Sequence, residues 1–156
     1  MNALKLVVSV LICQVAGFAG GFFTQSSVQT WYKTIRKPAF TPPEWLFGPV
    51  WISLSLLMGI ALFLVWKIDG QGPAKRIALV LFFIQLGLNI LWSFLFFYLK
   101  NPLLGFVEIL ILLLFIVLTA WKFYGLNHLA GVMFVPYILW VGFASLLNYF
   151  LWSLNR

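Results

Sequence analysis

The chain has 156 residues, 63% of them hydrophobic and 8% charged, with 10 Lys+Arg against 3 Asp+Glu and a net charge of +7. Soluble domains carry about 25% charged residues, so this composition excludes a water-soluble globule and leaves one integral membrane domain over residues 1–156. The cations sit at the ends of apolar runs, where they anchor spans to headgroups; with no basic stripe and no recognised motif, a nucleic-acid surface is not expected.

The first run, Leu4–Phe23, is long enough to cross about 30 Å of hydrocarbon as a helix. It is long for a secretory leader and flows into Gly17-Phe18-Ala19-Gly20-Gly21-Phe22-Phe23 without a clear cleavage boundary, so removal is not expected. Cys13, the one cysteine, lies inside this run, which leaves no disulfide framework and no cysteine-based metal site. Gln14 is expected to bond across helices, and Gly17-x3-Gly21 to allow close helix contact.

A connection from Thr24 to Trp45 follows, and it is the most unusual segment of the chain. It holds Trp31-Tyr32 and Lys37-Pro38-Ala39-Phe40-Thr41-Pro42-Pro43, with few of the residues typical of disorder. Rings, cations and rigid prolines together predict an ordered lid.

Span 2, Leu46–Trp66, carries a stripe of Phe47, Trp51, Ser55 and Met58, with Pro49 near its start fixing how the lid joins it. Lys67–Arg76 is a turn built on Asp69-Gly70-Gln71-Gly72-Pro73. Span 3, Ile77–Leu99, places Gln85, Asn89, Trp92, Ser93 and Phe96 on one face. Amides facing lipid would lack partners, so that face points inward, either to bond other helices or to wall a pocket. Lys100-Asn101-Pro102 forces a tight reversal into span 4, Leu103–Trp121. Glu108 in that span is expected near the headgroups or bonded across helices, and His128 in the next loop is expected at the surface. Span 5, Ala130–Trp152, matches span 3 with Tyr137, Trp140, Ala144, Leu147 and Asn148 on one face and Pro136 in its first turn. Trp45, Trp66, Trp121 and Trp152 fall at run ends and read as interfacial anchors.

The fold class is therefore all-α, a bundle of five transmembrane helices with a long ordered loop between the first two. Orientation stays open. Lys5, Lys67, Lys75, Arg76 and Lys122 lie on one side, and Lys33, Arg36, Lys37, Lys100 and Arg156 on the other, a tie in cations. No serine triad, carboxylate pair, His/Cys cluster or phosphate loop is present. Three polar-aromatic faces under an aromatic lid suit a large, flat, mostly apolar ligand held by stacking and a few hydrogen bonds.

Trp31-Tyr32, Lys37-Pro38-x-Phe40-x-Pro42-Pro43 and Phe47-x-Pro49-Val50-Trp51 resemble the signature of the translocator protein (TspO/MBR) family. These are the tryptophan-rich sensory proteins, also called peripheral-type benzodiazepine receptors. Gln85-Leu86-x-Leu88-Asn89-x2-Trp92-Ser93 and Pro136-Tyr137-x2-Trp140-x3-Ala144-x2-Leu147-Asn148 resemble its later motifs, in order, over essentially the whole chain. The resemblance implies a multi-pass protein of a bacterial cell membrane, often a homodimer, with a cavity under the first loop. It implies porphyrin or haem as ligand, with no required cofactor and no metal site. The ligand contacts it implies are Tyr32, Pro42, Trp51, Asn89, Trp92, Trp140 and Ala144. Binding for sensing or porphyrin homeostasis is the first function implied. Light-dependent oxidative degradation of protoporphyrin, with Trp51 and Trp140 as catalytic residues, is the second, and transport of porphyrins or other lipophilic ligands the third. The animal cholesterol motif allows at most five residues between its tyrosine and the following cation, whereas six separate Tyr149 from Arg156, so cholesterol binding is not expected.

Overall fold

The computed structural model describes residues 1–156 and contains five helical segments long and apolar enough to span a membrane. Helix α1 is Asn2–Val28, the short α2 is Trp31–Thr34, and α3 is Glu44–Trp66. Helix α4 is Pro73–Ser93 and runs directly into a π-helical turn, Phe94–Tyr98. Helices α5 (Pro102–Leu126), the short α6 (His128–Val132) and α7 (Val135–Leu154) complete the chain.

Each expected span exists; α1 and α5 begin before and end five residues beyond the runs that mark them, α3 and α4 begin before theirs, and span 5 is divided between α6 and α7, which ends two residues beyond its run. The largest difference is at α1. Hydropathy falls at Thr24, but the helix continues to Val28 because its polar side chains find partners. Ser27 Oγ donates to the carbonyl of Phe97, and Thr24 Oγ1 donates to Gly20 O at 3.0 Å. The lid between the spans is consequently the shorter stretch 29–43, containing one helical turn.

Proline, asparagine and lysine set the helix ends. Pro73 and Pro102 begin α4 and α5, and Pro136 lies in the first turn of α7, where a missing N–H costs least. Pro49 sits further inside α3 than the sequence reading places it, five residues after Glu44. Asn101 accepts from Leu104 N and Asn127 from Ala130 N, each capping a helix start. Lys75 is buried, and its ammonium donates to the carbonyls of Trp66, Ile68 and Gly70 at 3.0, 2.7 and 3.2 Å. A cation there satisfies carbonyls left open at the end of α3 and favours the negative end of its dipole. Gly70 adopts φ +90° in the same turn, a conformation that a side chain would strain.

The packed core fills the half of the bundle away from the lid. Phe82 stacks on Phe123 at 5.7 Å, and Phe134 meets Phe123 edge-on at 5.3 Å, all three fully buried among Ile109, Ile116 and Val141. Helix α5 packs on α4 and α7, and α1 packs on α3 and α4. Helix α3 touches α1 and α6 but hardly touches α7. The space left between α3 and α7, on the lid side of the core, is the cavity.

Three of the four tryptophans at the run ends have a cation beside their rings. Lys5 Nζ lies 5.8 Å from the Trp66 ring, Lys122 4.7 Å from Trp121, and the Arg156 guanidinium 5.8 Å from Trp152. Trp45 is 72% exposed. His128 is exposed, with its ring 4.4 Å from that of Tyr124. Glu108 departs from both expected placements: it is buried, and neither carboxylate oxygen meets a donor.

Candidate functional site

The cavity is about 930 Å³ and is walled by α1, α2, α3, the α4–π segment and α7. Its volume lies at the upper end of the range for small-molecule sites, about 300–1,000 Å³. Tyr32, Trp51, Asn89, Trp92, Trp140 and Ala144 all line it. Pro42 does not; the prolines of the lid shape its path, and the ring that reaches the cavity is Tyr32.

Helical periodicity explains why these side chains converge. Trp140, Ala144, Leu147, Asn148 and Leu151 follow one face of α7, and Phe47, Trp51 and Ser55 one face of α3. Phe47 meets Trp140 edge-on at 6.0 Å, and Trp51 meets Tyr137 at 6.4 Å, so aromatic edges bridge the gap between the two helices. On α4 the stripe Asn89, Trp92, Ser93 and Phe96 is extended by the π-turn, whose additional residue per turn brings Phe97 inward as well. Trp92 stacks on Phe96 at 5.3 Å.

The amide face of α4 divides into two roles. Gln85 lies beneath the cavity and does not line it. Asn89 Nδ2 donates to the Tyr137 hydroxyl at 2.6 Å, the hydroxyl donates to Gln85 Oε1 at 3.1 Å, and Gln85 Nε2 reaches Met58 Sδ at 3.6 Å. This buried chain ties α4, α7 and α3 together and forms the floor. Above it, Trp92 Nε1 donates to Asn148 Oδ1 at 2.9 Å, and Asn148 Nδ2 donates to Pro102 O at 2.8 Å. Trp140 differs from these, since its Nε1 is buried and meets no acceptor within the protein. Its indole N–H is left unpartnered in a residue that lines the cavity.

Glycines on α1 set the opposite wall. A Cβ on Gly17 would lie 2.9 Å from Ser55 Oγ, and one on Gly20 would lie 3.2 Å from Ser93 Oγ. Gly21 and Gly48 have nothing within 4 Å and border the cavity. The small-residue motif thus has one glycine in helix contact and one facing open space. Gln14 bonds across helices as expected, donating to Ile52 O at 3.3 Å. The cavity reaches the outer surface between α1 and α3, where the lining residues Phe18, Phe22, Trp45 and Ile52 are exposed.

The lid closes the remaining end. Tyr32 is 2% exposed and packs on Phe96 and Phe97 at 6.5 and 5.7 Å. Lys37 Nζ lies 4.6 Å from the Tyr32 ring and donates to Ile35 O, holding cation and ring together inside the lid. Burial pushes the Tyr32 phenol up to about 12, and the nearby Glu44 carboxylate adds to the rise. Phe40 is wedged against Phe143 and Phe150 at 6.1 and 5.5 Å. Two elements of this site have no simple sequence signal, the π-turn and the anchoring of the lid by Asn155. Asn155 accepts from Arg36 N at 2.8 Å and donates to Arg36 O at 2.8 Å.

Comparison with known proteins agrees with this architecture. Residues 9–153 match the model of the TspO/MBR family. The chain is 49% identical over 155 residues to a Tryptophan-rich protein TspO from Archaeoglobus fulgidus, covering 99% of each chain. It is 32% identical over 155 residues to Protein CrtK of Rhodobacter capsulatus, covering 99% of this chain and 95% of that one. It is 34% identical over 140 residues to the Translocator protein of Homo sapiens, covering 89% and 83%. The chain belongs to the TspO/MBR family and is an integral, multi-pass membrane protein.

Proposed function

We propose that this protein binds a tetrapyrrole, porphyrin or haem, in the cavity between α3 and α7, in sensing or porphyrin homeostasis. The observation that carries the reading is the lining itself. Trp51, Trp92, Trp140 and Tyr32 line a mostly apolar space of about 930 Å³ that also holds amides and hydroxyls such as Asn89, Asn148 and Ser55, and Trp140 keeps an unpartnered indole N–H. Flat aromatic ligands gain most from such walls through stacking, and the few fixed donors orient them. The macrocycle would lie against the tryptophans, with the Trp140 N–H directed at one of its polar edges.

The test is an absorption and Trp-fluorescence titration with protoporphyrin in the dark. Saturable, stoichiometric binding that weakens in Trp51→Ala and Trp140→Ala supports the assignment. Titrations unchanged in both variants would remove it.

A second reading rests on Trp51 and Trp140 both lining the cavity. Under light and with dioxygen as oxidant, a bound protoporphyrin would be oxidised next to two readily oxidised indoles. Illumination should then bleach the Soret band and yield a defined product. If Trp51→Phe and Trp140→Phe form the same product at the wild-type rate, the indoles take no part.

A further inference from the structure

We propose that Asn155 is the clasp that holds the lid shut over the cavity, a positioning residue that governs how long a ligand stays bound; the retention part rests on the tetrapyrrole reading above. Its side-chain amide makes three of its four possible hydrogen bonds here. Oδ1 accepts from Arg36 N at 2.8 Å. Nδ2 donates to Arg36 O at 2.8 Å and to Leu151 O, one turn back in its own helix, at 2.7 Å. The amide therefore pairs with Arg36 as a neighbouring β-strand would, while its third bond fixes it to the end of α7.

Arg36 is well placed for such a hold. It lies in extended chain between Tyr32, which reaches the cavity, and Phe40, which packs on α7. The two bonds to Asn155 are the only hydrogen bonds between residues 30–42 and the four later spans; every other bond in that stretch is local or returns to α1. Packing by Phe40 and Tyr32 is non-directional, so the clasp fixes the register in which those rings sit. A carboxylate would accept from Arg36 N but would face the carbonyls of Arg36 and Leu151, and an alkyl group would do neither.

Hydrogen–deuterium exchange of the ligand-free protein in detergent, together with stopped-flow release of protoporphyrin, tests this for Asn155→Ala and Asn155→Asp. Losing both bonds should speed exchange in the lid and porphyrin release by about tenfold each, while exchange in α4 and α5 stays at the wild-type rate. The Asp variant should not restore either. Lid exchange unchanged in Asn155→Ala, or raised equally throughout the bundle, overturns the clasp. Faster lid exchange with unaltered porphyrin release overturns its role in retention. A wild-type protein that binds no porphyrin overturns the tetrapyrrole reading and with it the retention role, and the exchange comparison then decides the clasp alone.

Discussion

Trp92 and Asn148 are joined by a hydrogen bond of 2.9 Å from indole Nε1 to amide Oδ1, and the same amide continues to Pro102 O at 2.8 Å. One side chain of α7 thereby locks a tryptophan of the cavity wall to the first turn of α5. The bond fixes the plane in which Trp92 meets a ligand and stacks on Phe96.

Asn148→Ala should accordingly destabilise the bundle by about 1–3 kcal/mol, because it leaves the part-buried Trp92 N–H without a partner and removes the tie to Pro102 O. Thermal unfolding at fixed detergent reads the loss. Adding Trp92→Phe to Asn148→Ala should cost less than the sum of the two single changes, as expected for partners in one bond. Strict additivity would show that the bond carries no energy.

The glycines give a prediction of opposite sign at different positions. A Cβ on Gly59 would lie 2.7 Å from Val10 Cα, a backbone atom that cannot rotate away. Gly59→Ala should therefore cost about 1–3 kcal/mol through overpacking. Gly21→Ala and Gly48→Ala meet nothing within 4 Å and should be neutral or stabilising by about 0.5–1 kcal/mol, the helix gain of Ala over Gly. Unfolding midpoints of the three variants decide it, and an equal loss in all three would contradict the packing described.

The phenol of Tyr32 predicts an alkaline limit for the lid. Its ordinary value is 10 and burial beside Glu44 raises it to about 12, so the folded lid holds the proton more tightly than the open chain does. The stabilisation this provides is full below 10 and is lost as pH rises through 12. Amide exchange in residues 30–42, corrected for its intrinsic pH dependence, should stay flat at neutral pH and rise only above 10. Tyr32→Phe should remove that rise. A rise that persists in the Phe variant would assign it to another group.

The spans and the three facing stripes were legible in the sequence because a period of 3.6 carries them. Trp51, Asn89, Trp92, Trp140 and Ala144 fall on those stripes and line one cavity. Features that depend on a single distant bond were not legible. Ser27 reads as loop by hydropathy, yet its hydroxyl is satisfied by Phe97 O and the helix runs on past it. Asn155 is exposed and carries no local signal of its role, since only the tertiary path of the lid brings Arg36 to it. The π-turn at Phe94–Tyr98 has no periodic signal because it interrupts the period itself. Glu108 looked like an interfacial or bonded acid, since a buried carboxyl without a donor is what local reasoning expects least.

The central claim is that the ligand occupies the space between α3 and α7 beneath Tyr32. A structure of the protein loaded with protoporphyrin tests it most directly. The account predicts a macrocycle in contact with Trp51, Trp92 and Trp140, with a polar edge within hydrogen-bonding distance of Trp140 Nε1. Porphyrin found only on the lipid-facing surface, with those three indoles untouched, would contradict it.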